Sequence, residues 1–124
     1  MQREILPKCP MEKVRAINEV MNSIRSKWKL PIIGVLMTGK KRYKEIEKLL
    51  PKITPRMLSY ELKDLELNGI VTRTVVDDIA TKIEYELTES GRGIESVIDA
   101  MAEWGINHRA VNIMKNNISS RAMN

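Results

Sequence analysis

The 124-residue sequence contains one cysteine and one histidine, and both scarcities exclude chemistry. With Cys9 alone, no disulfide framework can form inside one chain, and neither a thiolate zinc finger nor an iron–sulfur cluster can be assembled. His108 as the sole imidazole removes most zinc hydrolase schemes. A glycine-rich phosphate loop is missing, no serine, histidine and acid set stands in a recognisable context, and Asp77-Asp78 is a bare acidic pair without further ligands. The expectation is a protein that is not an enzyme and uses no metal or cofactor. Long apolar runs are also lacking. The longest, around Pro31 to Met37, is far below the ~20 residues of a spanning helix, and Met1 to Pro10 lacks the apolar centre of a secretory signal. A soluble, cytoplasmic protein without a membrane partner is expected.

What the chain does have is charge and periodicity. Hydrophobic residues make up 43% and charged residues 30%, with a formal net charge of +5, which fits one small domain with a real core and an anionic partner. The charge is unevenly placed. Lys27, Lys29, Lys40, Lys41, Arg42, Lys44, Lys48, Lys52, Arg56 and Lys63 crowd the middle of the chain against Glu45, Glu47 and Glu61, whereas from Glu84 to Glu103 acids outnumber a single Arg92. The middle is the candidate binding surface.

Apolar periodicity predicts the elements. Val14, Ile17, Met21 and Ile24 form one stripe of a helix, and Leu30 to Met37 reads as a second, short helix stopped by Thr38 and Gly39. A third runs from Tyr43 to about Leu50, turning Ile46, Leu49 and Leu50 inward. The next has clear signals at both ends: Thr54 as cap, Pro55 at the first position, and Asn68-Gly69 as the stop. At about 100° per residue, Leu58, Leu62 and Leu65 fall on one side, and Arg56, Tyr60 and Lys63, flanked by Ser59, fall on the other. A forked donor, a phenol, a hydroxyl and a cation suit entry into a major groove. Ile70 to Val76 and Lys82 to Leu87 read as antiparallel strands joined by an Asp77 to Thr81 wing, and Ile94, Val97, Ile98, Met101 and Trp104 as a helix ended by Gly105. The apolar face continues through Ile106, Ala110, Ile113, Met114 and Ile118.

This order predicts a mainly α fold with a small β-hairpin wing, a winged helix-turn-helix with N- and C-terminal dimerisation helices. Residues 1–124 form one domain, with 30–88 as the winged core and 11–25 and 91–118 as the dimerisation helices. At residue level the chain resembles the HxlR-type transcriptional regulators, a family of small dimeric winged helix proteins. The resemblance rests on Cys9-Pro10, Lys27-Trp28, Arg42-Tyr43-Lys44-Glu45-Ile46, Ile53-Thr54-Pro55-Arg56-Met57-Leu58-Ser59, Leu62-Lys63-Asp64-Leu65-Glu66, Gly69-Ile70-Val71-Thr72-Arg73, the run Ile83 to Arg92, and Ala102-Glu103-Trp104-Gly105. It spans roughly Cys9 to Gly105. The chain departs from the family in having Arg25-Ser26 where glycines are usual, Ala80-Thr81 where the wing often has prolines, and Tyr43 in place of phenylalanine.

The expected function is sequence-specific binding of double-stranded DNA by a homodimer on an inverted repeat, as a transcriptional repressor. The alternative is a winged helix that serves protein association, against which the cationic outer face of the Pro55 to Leu67 helix argues. Expected DNA contacts are Arg56, Ser59, Tyr60 and Lys63, with Thr54 at the head of their helix. Lys40, Lys41, Arg42 and Tyr43 are expected on phosphates, the Tyr43 hydroxyl among them, and Arg73, Thr81 and Lys82 in the wing. Trp28 and Trp104 are expected in the core, His108 at the surface or in an interface, and the methionines Met11, Met21, Met101, Met114 and Met123 mainly in the dimerisation segments, where an effector pocket is an open alternative. Cys9, ahead of the first helix and beside Lys8 and Lys13, is either a small packed residue or a sensor. The family resemblance implies the latter, a thiol responding to oxidants or electrophiles.

Overall fold

The computed structural model describes residues 9–77 and 79–123. In chain order the elements are α1 (Pro10–Ile24), α2 (Lys29–Leu36), β1 (Lys41–Arg42), α3 (Tyr43–Leu49), α4 (Pro55–Leu67), β2 (Val71–Asp77), β3 (Lys82–Leu87), α5 (Glu89–Arg92) and α6 (Glu95–Met123). The winged helix-turn-helix predicted from periodicity is what forms.

The core is built where apolar residues from distant elements converge. Ile32, Ile33 and Leu36 of α2, Ile46 of α3, and Leu58, Leu62 and Leu65 of α4 are fully buried and meet Val71 and Leu87, which face each other at the base of the hairpin. Local chemistry sets the boundaries of α4. The Thr54 hydroxyl accepts the Met57 N–H at 3.1 Å, and the far end closes as a Schellman turn, with Ile70 N–H on Leu65 C=O and Gly69 N–H on Glu66 C=O. Gly69 takes φ +75°, a conformation in which a side chain is strained. The start of α2 is capped from outside: the Ser26 hydroxyl accepts both the Trp28 and Lys29 N–H groups at 3.0 Å. The Arg25-Ser26 departure thus supplies helix N–H groups with an acceptor.

The hairpin pairs Val71 with Leu87 through Val75 with Ile83, then shifts register before Asp77 meets Lys82. Residue pattern alone predicts two strands; the sheet has three, in the order β1-β3-β2. Lys41 and Arg42 pair with Tyr85 and Glu84, so the basic run lies on a sheet edge and does not simply lead into a helix. Thr88 ties the hairpin to α5, donating its hydroxyl to Gly69 C=O at 2.7 Å and accepting the Gly91 N–H at 2.9 Å. Gly91 is needed there, because a Cβ would stand 2.3 Å from the Ile70 carbonyl oxygen.

Three further expectations are corrected. Gly105 does not end a helix: α6 runs 29 residues through it, since one glycine costs only about 1 kcal/mol inside a helix. Leu49 is 56% exposed: it stands about 60° round α3 from the buried Ile46, while Leu50, just past the helix end, packs partly buried against the core. Trp104 is not in this chain's core; it is 66% exposed and stacks on His108 with centroids 4.6 Å apart. Trp28, by contrast, packs half-buried against the core, as expected. The α1 stripe, expected in a dimerisation helix, finds little to pack on within the chain. Ile24 is buried, but Val14, Ile17 and Met21 remain about half exposed, beside an apolar groove shared with Ile94, Val97 and Met101.

Candidate nucleic-acid interface

The α4 helix is held by its leucines and presents its opposite side outward. Arg56, Tyr60 and Lys63 are all exposed, Tyr60 by 67%. Among the described residues no ion pair engages Arg56, Lys63 or Arg73. An arginine in the first turn is unfavourable against the helix dipole, so Arg56 is not placed there for helix stability.

Two clefts flank this face. A groove of about 450 Å³ between α4 and the sheet is lined by Tyr43, Ser59, Lys63, Glu66, Arg73 and Tyr85, which brings four of the expected contacts together. Arg73 sits opposite Tyr85, and the acids that might have paired with it are engaged elsewhere: Glu84 with Lys40 at 3.6 Å, Glu86 with Arg92 at 3.2 Å. A second cleft at the root of the wing gathers Arg42, Tyr43, Lys44, Thr81 and Lys82. The wing itself is turned by Asp77, whose carboxylate accepts the Ile79 and Ala80 N–H groups, and by Thr81 at φ +51°; Ile79 is left 98% exposed.

Several expected contacts have other duties. The Tyr43 hydroxyl, expected on a phosphate, donates to Pro55 C=O at 2.7 Å and accepts from the Ser59 hydroxyl at 3.3 Å. These bonds pin the first turns of α4 to the start of α3. Thr54 spends its oxygen on the helix cap. Lys40 pairs with Glu84, and Lys41 is half-buried with its ammonium donating to Gly39 C=O at 3.4 Å. Arg42 has its side chain exposed, while its backbone N–H donates to Glu45 Oε1 at 2.8 Å.

One functional group is misread from sequence. Lys29, counted there among surface cations, is buried; its Nζ lies 2.6 Å from Glu61 Oε1 and 3.0 Å from Asp64 Oδ2, and its charge is cancelled. Burial disfavours its charged form, but the hydrogen bonds and charges of Glu61 and Asp64 outweigh that and raise its pKa above the usual lysine value. A signal existed: Glu61 falls beside the Leu58, Leu62 and Leu65 stripe, where a carboxylate needs a partner. Cys9 is exposed and is the residue just before α1, with its carbonyl accepting the Lys13 N–H. No described helix is long and apolar enough to cross a membrane.

Known proteins are similar to this chain in sequence and fold. The family model described as HxlR-like helix-turn-helix matches residues 23–112. YtcD of Bacillus subtilis (strain 168), an HTH-type transcriptional regulator, is 40% identical over 101 residues, covering 79% of this chain and 80% of YtcD. The solved structure of the redox regulator HypR in its reduced form matches with a TM-score of 0.73 at 40% identity, covering 77% of this chain and 95% of HypR. The reduced transcriptional regulator YodB of B. subtilis matches at 0.67 and 37%, covering 79% and 91%; structures of quinone-bound and diamide-treated YodB match as well. A leucine-anchored helix with a cationic outer face, next to a hairpin wing, thus comes with a family match over most of the chain: this protein belongs to the HxlR-like helix-turn-helix family of DNA-binding transcriptional regulators.

Proposed function

We propose that the chain acts as a homodimeric repressor that reads an inverted-repeat operator, with α4 in the major groove and the β2–β3 wing beside the backbone or in the minor groove. The observation that carries this reading is the outward face of α4, where Arg56, Tyr60 and Lys63 stand exposed. Arg56 offers a fork that suits guanine O6 and N7, Tyr60 adds a phenol one turn on, and Lys63 adds a cation two turns on. Arg42, Lys44 and Lys82 at the wing root, with Arg73 in the groove, supply phosphate contacts.

One domain reads few base pairs, so a two-fold pair placing its recognition helices about 34 Å apart is the arrangement that gains specificity. The half-exposed stripe of α1 and the start of α6 is the surface for that pairing. Exposed Cys9 at the head of α1 is the sensor. The redox regulator HypR and the quinone-bound YodB structure support this role. With no second cysteine in the chain, the thiol can end as a sulfenic acid, a mixed disulfide with a small thiol, or a bridge to Cys9 of the other copy.

The test begins with selection of bound genomic fragments by the purified protein, which defines the operator. Arg56→Ala should then weaken operator binding by about 1–3 kcal/mol and relax preference at one position in each half-site. Equal binding by wild type and Arg56→Ala in competition would refute the assignment of α4. Diamide treatment should change operator affinity of wild type and leave Cys9→Ser unaffected; equal responses would remove Cys9 from the mechanism.

A further inference from the structure

The α4 helix is seated by two kinds of force. Its leucines bury apolar surface, which is strong but non-directional and tolerates small rotations about the helix axis. Hydrogen bonds are directional, and among the described residues the side-chain bonds on the inner side of α4 come from one residue. Lys29, the first residue of α2, places Nζ between Glu61 and Asp64, with a third acceptor at Arg25 C=O, 3.4 Å away. The two carboxylates are three residues apart and lie on one side of α4. Tyr60 and Lys63 each precede one of them and stand about 100° round, on the outward face. The same Nζ lies 5.9 Å from the centroid of the Tyr60 ring, within reach of a cation–π contact.

Stability alone does not account for this cluster. Buried ion pairs are commonly replaceable by apolar side chains of similar volume without loss of stability, because desolvation offsets their attraction. Rotational register is a different matter. At the ~6 Å radius of a helix with its side chains, a rotation of about 20° moves an outward group by ~2 Å, more than a hydrogen bond to a base edge tolerates.

We propose that Lys29 is a positioning residue for sequence readout: by holding Glu61 and Asp64 it fixes the rotation of α4 and the presentation of Tyr60 and Lys63 to the bases. This rests on the major-groove reading of α4. Non-specific affinity, carried by phosphates, does not depend on that rotation, so the loss falls on discrimination.

The experiment uses the full-length protein and two duplexes of about 30 bp, long enough for two half-sites one helical turn apart. One is recovered from a random library by the wild-type protein, and the other is its shuffled counterpart. Lys29→Met/Glu61→Leu removes both buried charges together. Its ratio of selected to shuffled affinity should fall about fivefold or more, the discrimination of one weak base contact, with shuffled-duplex affinity within about twofold of wild type. A folded apolar variant with an unchanged ratio overturns the proposal. Should that variant not fold, Asp64→Ala, which removes the carboxylate at the partly exposed end of the cluster, decides in its place: an unchanged ratio overturns the proposal and a reduced one supports it. Arg56→Ala run alongside separates the two readings, since a ratio insensitive to Arg56 removes the major-groove assignment itself, whereas one that depends on Arg56 but not on Lys29 removes only the role of Lys29.

Discussion

Ile17 offers a direct measure of the proposed pairing of two copies through α1 and α6. It is 53% exposed in the single chain, and its neighbours across the groove, Val97 and Met101, are 48% and 49% exposed. Full burial of an isoleucine contributes about 1.5–3 kcal/mol, so covering the exposed half contributes about 0.8–1.5 kcal/mol. A two-fold axis presents the residue twice, which doubles the figure to about 1.5–3 kcal/mol. Ile17→Ser should therefore raise the dimer dissociation constant roughly 10- to 100-fold. Sedimentation equilibrium across a concentration series reads this directly, with circular dichroism to show that the monomer remains folded. Ile24 is the buried residue of α1, so replacing Ile17 leaves the contact with the core in place. Leu67→Ser is the control, 72% exposed at the end of α4 and outside the groove. A dissociation constant within about threefold of wild type, or an equal change in the control, would refute the α1–α6 face as the interface.

Three further outcomes are expected. Gly91→Ala should destabilise the fold by about 1–3 kcal/mol in urea titration, because its Cβ would press on the Ile70 carbonyl and the backbone must yield. Lys63→Ala should weaken binding to the selected duplex more than to its shuffled counterpart, as loss of a base contact does; an equal loss on all duplexes, with the slope of log affinity against log salt lowered by about 1, would place its ammonium on a phosphate and refute the base contact. Lys29 has a folded pKa raised above 10.5, so its contribution to stability is fully present below that value and is lost as pH rises through the folded pKa. Wild-type stability should fall more steeply above about pH 10.5 than that of Lys29→Met/Glu61→Leu, a difference visible in urea titrations at a series of alkaline pH values.

The parts of the fold legible in the sequence are those whose causes are local. The bounds of α4 follow from Thr54, Pro55, Asn68 and Gly69, each acting within a few residues, and its buried face follows from leucine spacing. The missed strand β1 has no local cause: Lys41 and Arg42 have little β preference and become a strand only by pairing with Tyr85 and Glu84, more than forty positions away. The same distance hid Lys29, whose partner Glu61 is 32 residues along, and the Tyr43 hydroxyl, whose acceptor Pro55 is 12 away. Charge counts treat every lysine as solvated, so the basic cluster looked larger than the surface that remains once Lys29 is buried and Lys40 pairs with Glu84.

The hydrogen bonds on and around α4 narrow which groups are free to read DNA at low cost. Thr54, Ser59, Glu61 and Asp64 all have polar atoms engaged inside the chain, with Met57 N–H, the Tyr43 hydroxyl and Lys29. Recruiting any of them to a base first breaks a bond that contributes about 0.5–1.5 kcal/mol, more where a charge is involved. Arg56, Tyr60 and Lys63 carry no comparable cost, and their exposure leaves donors in place for a partner to take. The engaged groups instead hold the helix from both sides, Tyr43 and Ser59 at its head and Lys29 along its inner face. In the proposed docking, an α4 seated by directional bonds on two sides would lose little conformational entropy on meeting a groove, which would leave more of the contact energy proposed for Arg56 to discriminate between bases.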